Sequence, residues 1–215
     1  MDKKKKTVLI FVIAFLVIAI VGAIVLALTK EEEKAFVSSF VYNSDYEPKS
    51  YIFYEPDQNA DIYADPDYQA VVSHLYYERD GIKTCITDGN YEKYGRPVVF
   101  FSKYFDALKA GDTDAFNALH SARYFENNRE CTDIAPQRLY DITLTYVFEK
   151  DMTDEIYGEV TKYVFETKYM IMKNDGTFRS DIGSDASRKL YLEVIETQSG
   201  DFFVDACGDK YELPQ

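Results

Sequence analysis

Residues 7–29, TVLIFVIAFLVIAIVGAIVLALT, form an unbroken apolar run of 23 positions with no charge and no proline. At about 1.5 Å of rise per helical residue it would reach roughly 35 Å, slightly more than the ~30 Å hydrocarbon core of a bilayer. The pattern therefore predicts one membrane-spanning helix with a modest tilt. Lys3, Lys4, Lys5 and Lys6 precede the run, whereas Lys30, Glu31, Glu32, Glu33 and Lys34 follow it. That asymmetry predicts a single-pass protein of the cell membrane, with a basic tail, 1–6, in the cytoplasm and the rest outside. A cleaved secretory signal also starts basic, but its apolar core is usually ~7–15 residues and ends in a small-x-small site. The present run is longer and ends Ala27-Leu28-Thr29-Lys30, with no cysteine close behind it for lipid attachment. Ala19, Ala23 and Ala27 repeat at four-residue spacing beside Gly22, a face on which two such helices can approach closely.

Beyond the span, residues 30–50 read as a juxtamembrane stalk and 51–96 as a small strand, helix and hairpin. A strand is predicted at 51–55, and Asp65-Pro66-Asp67 is the cap of a helix continuing through Tyr68, Val71, Val72 and Leu75. Asp80-Gly81 and Asp88-Gly89-Asn90 bracket a strand from Ile82 to Ile86. From residue 97 the period becomes helical: Val98, Phe101, Tyr104, Phe105 and Leu108 share a face, Pro97 suits a first turn, Gly111 a stop, and Asp112 caps a second helix with Phe116 and Leu119. The remainder alternates as strands. Ile142, Leu144, Tyr146 and Phe148 fall on one face, a turn is predicted at 151–154, and 156–172 is a long strand with a candidate bulge at Gly158. Strands at 190–197 and 202–207 complete the pattern. The expected fold is α+β, with the N-terminal transmembrane helix followed by a helical hairpin on a curved antiparallel sheet of about four strands in a domain over 97–215.

Charge narrows the partners. The chain carries −13 and residues 1–34 contribute +2, leaving −15 for residues 35–215. Nucleic acid and anionic polymers are disfavoured. The predicted partners are the lipid bilayer, through residues 7–29, and a second protein or a second copy of the chain. Cys85, Cys131 and Cys207 are an odd number, which allows at most one intramolecular bridge and is equally met by three thiols packed as small apolar groups.

The segment from Phe101 through Phe105-Asp106-Ala107-Leu108-Lys109-Ala110-Gly111-Asp112 to Leu119 resembles the opening of nuclear-transport-factor-2-like, or SnoaL-like, domains. The resemblance covers about residues 97–207. It implies a cone in which helices pack into the concave side of the sheet, a scaffold used by enzymes, ligand binders and assembly modules, including secretion and conjugation machines, so fold alone does not select a function.

No catalytic set follows from the residue pattern. The predicted sheet holds no histidine; His74 precedes the segment and His120 ends the second helix, where exposure or a favourable helix-end charge accounts for it. Asp106 reads as a solvated face and Asp112 as a cap. Oxygen ligands at Asp57, Asn59 and Asp61 suit calcium, but Ile62 stands where an EF-hand needs glycine and Tyr68 where it needs glutamate. No metal or other cofactor is predicted. The polar stretch 174–185 is a connecting loop or a recognition loop over the mouth of the sheet. In the second case Arg179 and Arg188 are the anion contacts, with Asp181 and Asp185 beside them. The expected role is non-catalytic binding or assembly at the cell surface, with an enzyme or small-molecule receptor using the cone as the alternative.

Overall fold

A computed structural model describes residues 51–211; the tail 1–6, the apolar run 7–29 and the stalk 30–50 lie outside the described residues. Among the described residues no helix is long and apolar enough to cross a membrane. In chain order they form α1 (Pro66–Gln69), β1 (Leu75–Arg79), β2 (Ile82–Ile86), α2 (Arg96–Ala110), α3 (Thr113–Ala118), α4 (Ala122–Asn127), β3 (Arg138–Asp154), β4 (Gly158–Met172), β5 (Leu190–Thr197) and β6 (Phe202–Gly208). The sheet order is β2-β1-β3-β4-β5-β6.

The expected α+β hairpin on a four-stranded antiparallel sheet is overturned. The sheet has six strands, is mixed, and dominates a structure with few helices. Its extra strands come from the segment read as a helix and hairpin extension: β1 pairs antiparallel with β2 and parallel with β3, with Leu75 opposite Ile142 and Tyr77 opposite Leu144. A parallel pair needs a long crossover, and α2, α3 and α4 occupy it. Leu75 belongs to β1 because the helix at Pro66 stops after four residues, and 51–55 forms no strand.

The local signals around α2 act as their chemistry dictates. Gly111 ends the helix at φ 66°, where its N–H reaches Ala107 O and Leu108 O, and a side chain is disfavoured there. Asp112 then caps α3 by accepting from Ala115 N, and Ser121 caps α4 through Tyr124 N. Val98, Phe101, Phe105 and Leu108 face the sheet, each at most 2% exposed. Phe101 meets Phe165 edge-on at 5.0 Å, and Phe105 meets Tyr169 at 5.9 Å. The layer between helix and sheet is thus filled by aromatic rings.

The long hairpin does not bend at Gly158, which instead closes its turn at φ 70°. β3 runs unbroken through the turn predicted at 151–154, and its register shifts lie between Tyr140 and Thr143 and between Tyr146 and Phe148. At the hairpin tip Tyr157 stacks on Phe203 of β6 at 5.9 Å, so the sheet curls strongly. Backbone bonds from Ser121 to Val204 O and from Val204 to Leu119 O cover the β6 edge, leaving β2 as the open edge among the described residues.

Candidate functional site

The second register shift helps to build an opening on the surface. Tyr146 sits opposite Phe165 and Glu149 opposite Tyr163. Phe165 and Tyr163 are two apart and share the helix-facing side, so Tyr146 and Glu149 share it too. The extra residue inverts the alternation, and Phe148, expected on the face of Tyr146, turns to the other side. A carboxylate therefore stands where the simple pattern puts a phenyl ring.

Around it, β1 contributes Tyr77 and Arg79, β4 contributes Tyr163, β5 contributes Glu196, and the start of α2 contributes Arg96 behind Tyr94. The resulting cleft holds about 230 Å³. Glu196 organises it, accepting from Arg96 and, at 3.0 Å, from the Tyr163 hydroxyl. Arg96 also donates to Gly200 O at 2.8 Å. The Arg79 guanidinium lies 4.2 Å from the centroid of Tyr146, and Tyr77 meets Tyr94 edge-on at 5.8 Å. Burial, reinforced by Glu196, pushes the Tyr163 phenol above its ordinary range. Burial likewise raises Tyr77 and, with Glu149, Tyr146. Burial works against the Arg79 charge, but Tyr77, Tyr146 and Glu149 outweigh it and hold the guanidinium above its ordinary value. The phenols are thus neutral hydrogen-bonding groups at physiological pH, and the arrangement suits recognition better than proton abstraction.

The loop residues singled out in the sequence lie elsewhere. Arg179 is 8% exposed and packs inward, donating to Asp181 from Nε at 2.5 Å and Nη2 at 2.6 Å and to the Tyr169 hydroxyl at 3.0 Å. Arg188 donates to Asp181 at 3.3 Å and also pairs with Asp209. Asp185 instead accepts from the Tyr140 hydroxyl at 2.9 Å. The structure thus brings Arg179, Asp181 and Arg188 into one ionic network and sends Asp185 to β3. Asn174 holds the loop shut, donating to Arg179 O and Ile182 O at 2.8 and 2.9 Å.

Two further ionic clusters are likewise paired internally. Lys162 and Glu193 form a buried pair at 2.5 Å, and Arg123 bridges Asp154 and Asp205 at 2.7 and 2.6 Å. His120, expected to be exposed or to carry a favourable helix-end charge, is 6% exposed among Tyr104, Phe116, Tyr124 and Phe125 because Leu119 and Ser121 tie its segment to β6. The three cysteines are unbridged and half-buried, and burial raises Cys131 and Cys207, which keeps both as thiols. Asp57 and Asp61 cap local turns, and Asp65 is held by Lys173 and Arg138. Among the described residues no group of three His, Cys, Asp or Glu side chains could hold a metal ion.

Period-2 spacing could have placed Tyr77 beside Arg79 once β1 was read as a strand. Nothing in the sequence marked the shift that exposes Glu149. Comparison with known proteins finds no family profile that matches the chain and no curated protein with significant similarity to it.

Proposed function

We propose that the chain is a non-catalytic binding protein of the cell surface, anchored through residues 7–29, whose recognition surface is the tyrosine–arginine cleft at the start of α2. One observation carries this reading: the space under α2 is filled by Phe101, Tyr104, Phe105, Phe165 and Tyr169, each at most 3% exposed. A ligand therefore meets the rim of the sheet, where neutral phenols and paired charges face solvent, instead of a deep cone. The likeness of 101–119 to nuclear-transport-factor-2-like domains belongs to the same proposal, supported by the Gly111-Asp112 break between α2 and α3.

The test uses Tyr146→Trp in the full chain. The protein has no tryptophan, so emission from residue 146 reports the cleft alone. The expected result is a saturable change with one class of surface polymer or solute, recovered chemically unchanged. A ligand recovered cleaved or modified would move the reading to an enzyme, and silence across all classes would remove the cleft as a recognition surface.

The open edge of β2, with Ile82 70% exposed, supports assembly as a second reading. Light scattering of the full chain in micelles tests it: a monomer at all concentrations excludes edge-to-edge pairing.

A further inference from the structure

Two cavities flank Arg96. Opposite the cleft, a second cavity of about 560 Å³ opens between α2 and the β5–β6 turn, with Phe100 and Phe202 as its aromatic wall and Arg96 common to both. Arg96 is fixed as the ridge between them by Glu196 and Gly200 O, with its guanidinium carbon 5.2 Å from the centroid of Phe202. The ridge is bridged beneath by stacked rings: Phe202 lies 5.8 Å from Phe100 and 6.3 Å from Tyr163, at 26° to each. A ligand that uses both cavities must be elongated and cross that ridge. A compact ligand has only 230 Å³ in the first, below the ~300–1,000 Å³ usual for small-molecule sites, and in the second, at 560 Å³, would leave the first unused.

Building on the reading of the cleft as a recognition surface, we propose that the two cavities form one track for a neutral, polyhydroxylated chain, an oligosaccharide segment lying across Arg96. Sugar rings present apolar C–H faces that pack on aromatic rings, and hydroxyl edges that need donors and acceptors together. The track is lined by Tyr77, Tyr94, Tyr146 and Tyr163 in the first cavity and Phe202 in the second, and Tyr163 and Arg96 converge there on one carboxylate. Charge selects against the other linear polymers. Arg79 and Arg96 face Glu149 and Glu196 in the first cavity, and Arg96 and Lys103 face Glu92 and Asp201 in the second. With two cationic groups and two carboxylates in each cavity, neither a polyanion nor a polycation gains net attraction, and a neutral chain forgoes none.

The experiment titrates the full chain carrying Tyr146→Trp in polyoxyethylene micelles, since maltoside detergents carry sugar head groups. The probes are chitotetraose and cellotetraose, then tetragalacturonate and tetralysine. A neutral tetramer should give saturable binding that changes less than twofold between low and high salt, and N-acetylglucosamine or glucose alone should bind at least tenfold more weakly. Lys103→Ala, on the exposed side of α2, should weaken the tetramer about threefold. The proposal is overturned if neither neutral tetramer binds, if tetragalacturonate or tetralysine binds as tightly, or if a monosaccharide matches the tetramer. Binding of a charged chain would leave the cleft a recognition surface and remove only the ligand class.

Discussion

The guanidinium of Arg96 occupies the space that a side chain at residue 200 would take: a Cβ built on Gly200 would stand 2.5 Å from Nη2 of Arg96. Gly200 also sits at φ 87°, a conformation costly for any other residue. The obstructing atom ends a flexible side chain, so Gly200→Ala should swing Arg96 away from Glu196 without breaking the fold. Urea unfolding should show a loss of about 1–2 kcal/mol, mostly backbone strain. Emission from a tryptophan at 146 should change at the same time, because the ridge between the two cavities has moved. An unchanged emission spectrum would mean that Arg96 does not shape the cleft.

Gly111 presents the opposite case. A Cβ there would stand 2.8 Å from the backbone nitrogen of Pro136 and 2.9 Å from Ile134 O, at φ 66°. Backbone atoms cannot swing aside. Gly111→Ala should therefore cost roughly 3 kcal/mol or more, combining left-handed strain with overpacking. Comparing its denaturation midpoint with that of Gly200→Ala checks the distinction, and equal losses would contradict it.

Such local chemistry was the legible part of the chain. Pro97, Gly111 and Asp112 set the limits of α2 and α3 through turn and cap geometry that depends on neighbours in sequence. The strand at Leu190–Thr197 was legible for the same reason, being bounded by turns. Sheet membership was not, because the parallel pairing of Leu75 with Ile142 joins residues far apart in sequence, and the apolar spacing from Tyr68 to Leu75 fits a helix equally well. The cleft was hidden for a sharper reason. One inserted residue after Tyr146 inverts every later side chain of β3, which alternation alone cannot reveal.

Arg179, a candidate anion contact in the sequence, predicts stability. Each of its three nitrogens donates, Nε and Nη2 to Asp181 and Nη1 to the buried Tyr169 hydroxyl. Asp181 is held below the ordinary carboxylate range: burial pushes it up, and Arg179, with help from Arg188, outweighs that. Arg179→Met strands the Tyr169 hydroxyl and leaves Asp181, a third exposed, with Arg188, and leaving one buried polar group without its partner typically costs about 1–3 kcal/mol. The variant should lose that much in urea unfolding, while ligand affinity at the cleft, measured on the folded fraction, stays within twofold. A large affinity loss with intact stability would restore the loop as the binding element.

His120 makes the acid limb of stability predictable. Its Nδ1 lies 2.8 Å from Phe116 O, while Nε2 has no hydrogen-bond partner among the described residues. Burial lowers its pKa from 6.5 to about 4, the helix-end carbonyls opposing only in part. A base whose folded pKa is depressed is neutral in the fold and charges first when unfolded, so its contribution is intact above pH 6.5 and is lost as pH falls towards 4, by up to roughly 3 kcal/mol. The depressed carboxylates act lower: Asp65, held near 2 chiefly by Lys173, loses its contribution only below about 3.8. Glu193, raised mainly by burial, works in the opposite sense, gaining as it protonates. His120→Phe keeps an aromatic ring in the cluster and removes the imidazole titration, together with the bond to Phe116 O, whose loss offsets the whole curve. Subtracting its stability curve from that of the native chain from pH 7 to below 4 cancels Asp65 and Glu193 and should leave a slope that flattens once the pH passes below about 4. Parallel curves would mean that His120 is already protonated in the fold, or reaches solvent without cost.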